Sequence, residues 1–238
     1  MSLEITDRVS PTTLARTTGG LYLAFVVTSV LADVWGHIGL GNATQIYHSI
    51  TTDLGWFRLG LLTAFASAFL FLMAAWGLYV LLRTVDRDLA LLFLVLNAVG
   101  VAVQCASLLQ LVSAMVTVSS TALPAPSVEA LALSAIGTYR LGFVAAQLFF
   151  GTWLVPLGYL VWRSGFLPRV LGVLLVLDGV AEMIWFLQGF LLPAYPAIKT
   201  PGTVVSLLAE VGLAVWLVIR GTRSTVRSAV VPAVGVLQ

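Results

Sequence analysis

The sequence predicts an all-α, polytopic membrane bundle of six transmembrane helices with both termini in the cytoplasm. Three observations carry that expectation. The 238 residues are 60% hydrophobic and only 9% charged, with mean hydropathy +1.04. A soluble domain carries about 25% charged residues, so the solvent for most of this surface must be lipid. Second, six apolar runs are each long enough to cross a hydrocarbon core of about 30 Å at 1.5 Å per residue. Third, the arginines alternate between the gaps. Arg8 and Arg16 precede the first run, Arg83 and Arg87 follow the second, Arg163 and Arg169 flank the gap after the fourth, and Arg220, Arg223 and Arg227 follow the sixth. With six crossings all of these share one side, and basic loops stay in the cytoplasm. Arg58, Arg140 and Lys199 fall near the other side.

The runs are residues 18–40, 55–82, 89–118, 135–162, 170–192 and 203–219. Those longer than needed should tilt or project. Their separators, 83–88, 119–127, 163–169 and 193–202, are short and polar or proline-rich, which makes successive spans antiparallel neighbours. The first run could also be outlined as a cleavable leader ending at Val30-Leu31-Ala32. Apolar residues continue past Asp33, which favours a retained span. One domain is therefore expected over 1–220, with a short, disordered cytoplasmic tail over 221–238. Nothing in the sequence indicates an internal repeat or sets the oligomeric state.

Composition also narrows the chemistry. A net charge of +2, scattered along the chain, offers no nucleic-acid footprint. The single Cys105 allows no intrachain disulfide and no thiolate metal site. Asp33, His37, His48 and Asp53 could be imagined around a zinc or iron ion, but no H-E-x-x-H or similar motif supports it. No metal and no cofactor is expected, and membrane lipids are the natural partners.

Asp178 and Glu182 are the most informative residues. They lie one helical turn apart in an apolar run between Arg169 and Lys199. An acid at bilayer depth costs about 2.5–3.5 kcal/mol, and two acids a turn apart repel unless protonated or paired. Helical spacing puts other polar groups on stripes that should face the bundle interior. These are Ser29, Asp33 and His37; Asn97, Gly100, Gln104 and Ser107; Arg140, Gln147 and Gly151; Gly172, Gly179 and Glu182; and Ser206 with Glu210. The expected result is a polar cavity in the outer half of the bundle. Asp33, Glu182 and Glu210 would meet Arg58 and Arg140 there. The bland alternative is that acid–arginine pairs and small glycines merely lock helices together. Trp35, Tyr47, Trp56, Tyr139, Trp162 and Tyr195 read as an interfacial belt. Trp153, Trp185 and Trp216 lie deeper and could wall a pocket or face a cation.

Several short motifs look familial. They are Ala15-Arg16 with Gly19-Gly20-Leu21-Tyr22-Leu23, Phe57-Arg58, Leu78-Tyr79, Phe149-Phe150-Gly151, Gly158-Tyr159-Leu160, Ser164-Gly165-Phe166-Leu167-Pro168-Arg169 with Gly172, and Glu210 with Trp216-Leu217. Together they resemble the bacterial membrane family catalogued as domain of unknown function 4386, over most of residues 15–220. The resemblance implies a six-span bundle in a bacterial cytoplasmic membrane, and no activity. Asp178 and Glu182 stand outside its pattern.

Three functions fit. The first is an enzyme or binding pocket for a lipid-like, prenylated or isoprenoid molecule. Asp178 or Glu182 would be the acid and Glu210 or Asp33 the partner base, with Arg58, Arg140, Trp185, Gln147, Gln104 and His37 binding substrate. Its acid chemistry would parallel that of small membrane terpene cyclases. The second is a small proton-coupled transporter, although the broken-helix pair common in carriers is missing. The third is a non-catalytic scaffold whose acids are structurally paired.

Overall fold

The computed structural model describes residues 10–122 and 124–221. Arg8, Arg223, Arg227 and the expected tail beyond residue 221 lie outside them. The described residues form seven α-helices: α1 (Pro11–Gly36), α2 (Ala43–Thr52), α3 (Leu54–Leu82), α4 (Arg87–Val118), α5 (Ala125–Arg163), α6 (Arg169–Leu191) and α7 (Thr200–Arg220). A 3-10 turn over Pro196–Lys199 leads into α7. Six helices are long and apolar enough to cross a membrane; the seventh, α2, is a ten-residue connector. Exposed apolar side chains such as Leu62, Phe69, Val116 and Val170 make the perimeter, as expected where the solvent is lipid.

Helix starts follow from local chemistry. Ser10 accepts from the Thr13 N–H, Asp53 from Trp56 and Asp86 from Asp88 and Leu89, each satisfying amides that a first turn leaves open. The α2 helix opens on a capping box in which Asn42 and Gln45 bond reciprocally at 2.9 Å. Its apolar face drops Ile46 and Ile50 into the core.

The separators 119–127 and 193–202 are shorter than expected. Pro126 and Pro201 sit in first turns, where a missing N–H costs nothing, so α5 and α7 begin before the apolar runs do. The 39 residues of α5 span about 58 Å at 1.5 Å per residue, well beyond the hydrocarbon core.

The chain ends of the bundle meet. The Thr12 methyl lies 2.8 Å from where a Cβ on Gly221 would sit. We call this end proximal and the opposite end, with α2 and the 3-10 turn, distal. Glycines close the bundle toward the proximal end. Gly158 and Gly172 face each other across α5 and α6, so that a Cβ on either would lie 2.6 Å from the other's carbonyl oxygen. Gly151 and Gly179 repeat this one heptad further along. Gly19 of α1 packs on the α7 backbone at Ala214. Small residues allow such contact, and in lipid that contact is what holds helices together.

Candidate functional site

Away from those contacts the helices enclose a central cavity of about 550 Å³. Five of the spans, α1, α3, α4, α5 and α7, and the distal half of α6 line it. Its wall is mainly apolar and partly aromatic. Phe25 and Phe71 stack at 4.3 Å, and Trp153 meets Phe71 edge-on at 5.3 Å. Val30, Val34, Val204 and Leu207 also line it, and each is more than half exposed. The cavity therefore reaches the bundle perimeter between α1 and α7, distal to the Gly19 contact.

The acid groups gather at mid-depth. Ser206 of α7 faces α6 and contacts Asp178 Oδ1, Glu182 Oε1 at 3.2 Å and its own Gly202 carbonyl at 3.1 Å. One hydroxyl has one proton to donate. With one carboxyl protonated and donating to Ser206, two of the three contacts are hydrogen bonds; all three are only if both carboxyls carry a proton. The second oxygens, Asp178 Oδ2 and Glu182 Oε2, are buried without a protein partner. About one helical turn further along α7, Glu210 accepts through Oε1 from the Tyr22 hydroxyl of α1 at 3.0 Å. Glu182 and Glu210 line the cavity; Asp178, fully buried, stands behind Glu182.

The other expected site residues divide clearly. Asp33, Gln104, Gln147 and Trp185 line the cavity. Asp33 also accepts from the Leu40 N–H at 3.1 Å, fastening the turn after α1. His37 does not reach the cavity. It ends α1 in the left-handed conformation, with φ 53°, and its Nδ1 bonds Ser49 of α2 at 2.8 Å. That corrects its expected role: the helix ends at Gly36, one residue before His37, so the stripe does not carry it inward. Arg58 is also corrected. It lies on the exposed side of α3 and lines neither cavity. Arg140 lines a second, distal cavity of about 350 Å³, together with Lys199.

Among the described residues the expected acid–arginine meeting does not occur at this site, although Lys199 lies close enough to Glu182 to feel its charge. The acids bond to hydroxyls and a backbone amide instead. Asp53, once grouped with His37 around an imagined metal, caps α3. Among the described residues no group of three His, Cys, Asp or Glu could hold a metal ion.

Two contributors escaped the sequence. Tyr22 lies seven residues before Ser29, on the stripe that leads to Asp33, and that spacing could have found it. Tyr139 read as a belt residue, yet it is buried and its hydroxyl faces inward, beside the Gly39 backbone but outside hydrogen-bonding geometry. Trp153, expected deep enough to wall a pocket, is fully buried at the cavity wall, its indole N–H unpartnered among the described residues.

Fold and site together define a multi-pass membrane bundle with a laterally open, acid-floored cavity. The family model described as Domain of unknown function (DUF4386) matches residues 17–221, and the chain belongs to that family. Comparison with curated proteins and with solved structures gave no match.

Proposed function

We propose that the central cavity binds a lipid-like or isoprenoid molecule that enters sideways between α1 and α7, and that Glu182 delivers a proton to it. The observation that carries this is the placement of Glu182 and Glu210 in the wall of a largely apolar cavity that reaches the perimeter. An apolar chain fits the wall, and a carboxyl held in its acid form by the Ser206 cluster is a proton donor by position. Asp178 supports that donor from behind, through the shared hydroxyl.

The reaction class is acid-catalysed isomerisation or cyclisation. Glu182 adds a proton to one carbon of an alkene, forming a C–H bond and a carbocation. The faces of Phe25, Phe71 and Trp185 stabilise the positive charge. A carboxylate, Glu210 or Asp33, then removes a proton from a neighbouring carbon. The alkene's π pair becomes the new C–H bond and the second C–H pair the new π bond; the proton then returns from that carboxyl to Glu182 before the next turnover, so no co-reactant is consumed. The arginines Arg16, Arg83, Arg87, Arg163, Arg169 and Arg220 cluster at the proximal end, which supports a cytoplasmic proximal end and a cavity in the outer half of a bacterial inner membrane.

The test is mass spectrometry of lipids released from protein purified in native-membrane discs, followed by incubation of the purified protein with the released species. Wild type should convert a bound isoprenoid or unsaturated amphiphile, and Glu182→Gln should bind it unchanged without converting it. Equal conversion by Glu182→Gln would remove the catalytic part. Proton-driven uptake of an unaltered molecule into vesicles would replace it with transport.

A further inference from the structure

The distal cavity brings Arg140 of α5 and Lys199 of the 3-10 turn into one recess. Among the described residues no Asp or Glu lines it. Gln188 of α6, buried, uses its Nε2 on the Leu192 carbonyl at 3.0 Å, which leaves its oxygen as the only side-chain amide acceptor there. Lys199 is held over the Trp185 ring, Nζ to centroid 4.4 Å. The recess abuts the central cavity: Tyr139, Phe143 and Trp185 line both. The Tyr139 hydroxyl, buried and without a hydrogen bond, sits on that shared wall.

Two like charges in one recess repel, and helix packing alone gives no reason to collect them. An anion between them removes the repulsion. An arginine fork, an ammonium and a phenol O–H form a donor set suited to phosphate, whose charge approaches −2 and which accepts from several directions. Glu182, whose charge Lys199 feels, lines the other chamber rather than this recess. The molecule therefore offers a cationic recess of headgroup size beside an apolar chamber of chain size.

We propose that the distal recess binds the phosphate group of an amphiphile whose hydrocarbon chain occupies the central cavity. This rests on the central cavity being a lipid site and names the class of lipid. Arg140 and Lys199 grip the phosphate, and Tyr139 donates to it at the junction. Binding by two groups at once fixes the chain's depth relative to Glu182.

Binding is read as the shift in thermal unfolding of detergent-purified full-length protein on titration. The probes are a phosphorylated long-chain alcohol, the same alcohol unphosphorylated, and inorganic phosphate. Wild type should bind the phosphorylated alcohol at least ten-fold more tightly than the free alcohol. R140Q/K199Q should lose that preference while still binding the free alcohol, and R140K/K199R should keep most of it. An unaltered preference in R140Q/K199Q would overturn the inference and leave the central cavity as a lipid site. Inorganic phosphate binding as tightly as the phosphorylated alcohol would overturn the headgroup assignment in favour of a free anion. Failure of either alcohol to bind wild type would overturn the lipid reading itself. Retained binding of the free alcohol shows that R140Q/K199Q is folded.

Discussion

Two regions of this bundle are packed differently. Toward the proximal end, backbones touch: Gly158 meets Gly172, and Gly19 meets the α7 chain. Toward the distal end the α1 and α3 backbones still touch at Gly36 and Gly60, and Ile46, Phe57, Leu111 and Ile136 form a packed cluster, but between α1, α5 and α7 side chains do not fill the gap, leaving the cavity. In water such a void would be closed by the hydrophobic effect. In lipid that drive between helices is missing, and association depends on close packing. Close contact at the glycines and in the packed cores therefore holds the helices while the cavity between α1, α5 and α7 stays open. A void forfeits dispersion contacts along its lining, and a hydrocarbon chain in the cavity restores them. The contrast separates what keeps the protein assembled from what it is assembled to hold.

The sharpest way to break this division is to put a side chain into the proximal contact. Gly158→Leu should destabilise by about 3 kcal/mol, because the obstructing atoms belong to the Gly172 backbone and cannot rotate away. The readout is the unfolding midpoint in a detergent titration. Unchanged stability would mean that the glycine contacts do not hold the bundle.

The acid cluster between the two regions should respond less. Ser206→Ala removes the hydroxyl shared by Asp178 and Glu182 and leaves buried acceptors facing each other. A loss of about 2 kcal/mol is expected. Glu182→Gln should cost far less, since its amide donates where a protonated carboxyl did. If Glu182→Gln proves as damaging as Ser206→Ala, then Glu182 works as a charged structural partner, and the proton-donor reading fails. At the distal end, Asn42→Ala should cost about 1 kcal/mol by undoing the α2 capping box. It should also loosen the Ser49–His37 bond that ties α2 to α1.

The fold was legible because lipid imposes a length and a polarity that the six runs satisfy. The acids were legible for the same reason: Glu182, Glu210 and Asp33 are too costly at depth to face lipid, so they had to point inward. Arg58 and Arg140 were not, because a long basic side chain can reach the interface from many positions. Spacing therefore says little about where its charge ends. His37 was misread because an α-helical stripe was continued past the helix end at Gly36. The α2 helix left a readable mark in Asn42-x-x-Gln45, but ten residues with two buried isoleucines make no hydropathy signal. Tyr139 looked like a belt residue from its place near a span end. Only the early start of α5, hidden by Pro124 and Pro126, puts it well inside the helix.

The smallest expected change on stability is the most discriminating. Ala64 and Ala74 both lie on α3 and both are buried, but Ala64 lines the cavity and Ala74 packs in the proximal core. Replacing each with leucine adds the same volume. Ala74→Leu should cost about 1–3 kcal/mol by overpacking. Ala64→Leu has empty space to grow into and should change stability by less than about 0.5 kcal/mol, while abolishing binding of a long-chain alcohol. Equal costs at the two positions would mean the distal cavity is not free volume. An unaltered alcohol affinity in Ala64→Leu would mean that the chain lies elsewhere. Because helix, residue type and added atoms are held constant, any difference between the two variants belongs to the two regions themselves.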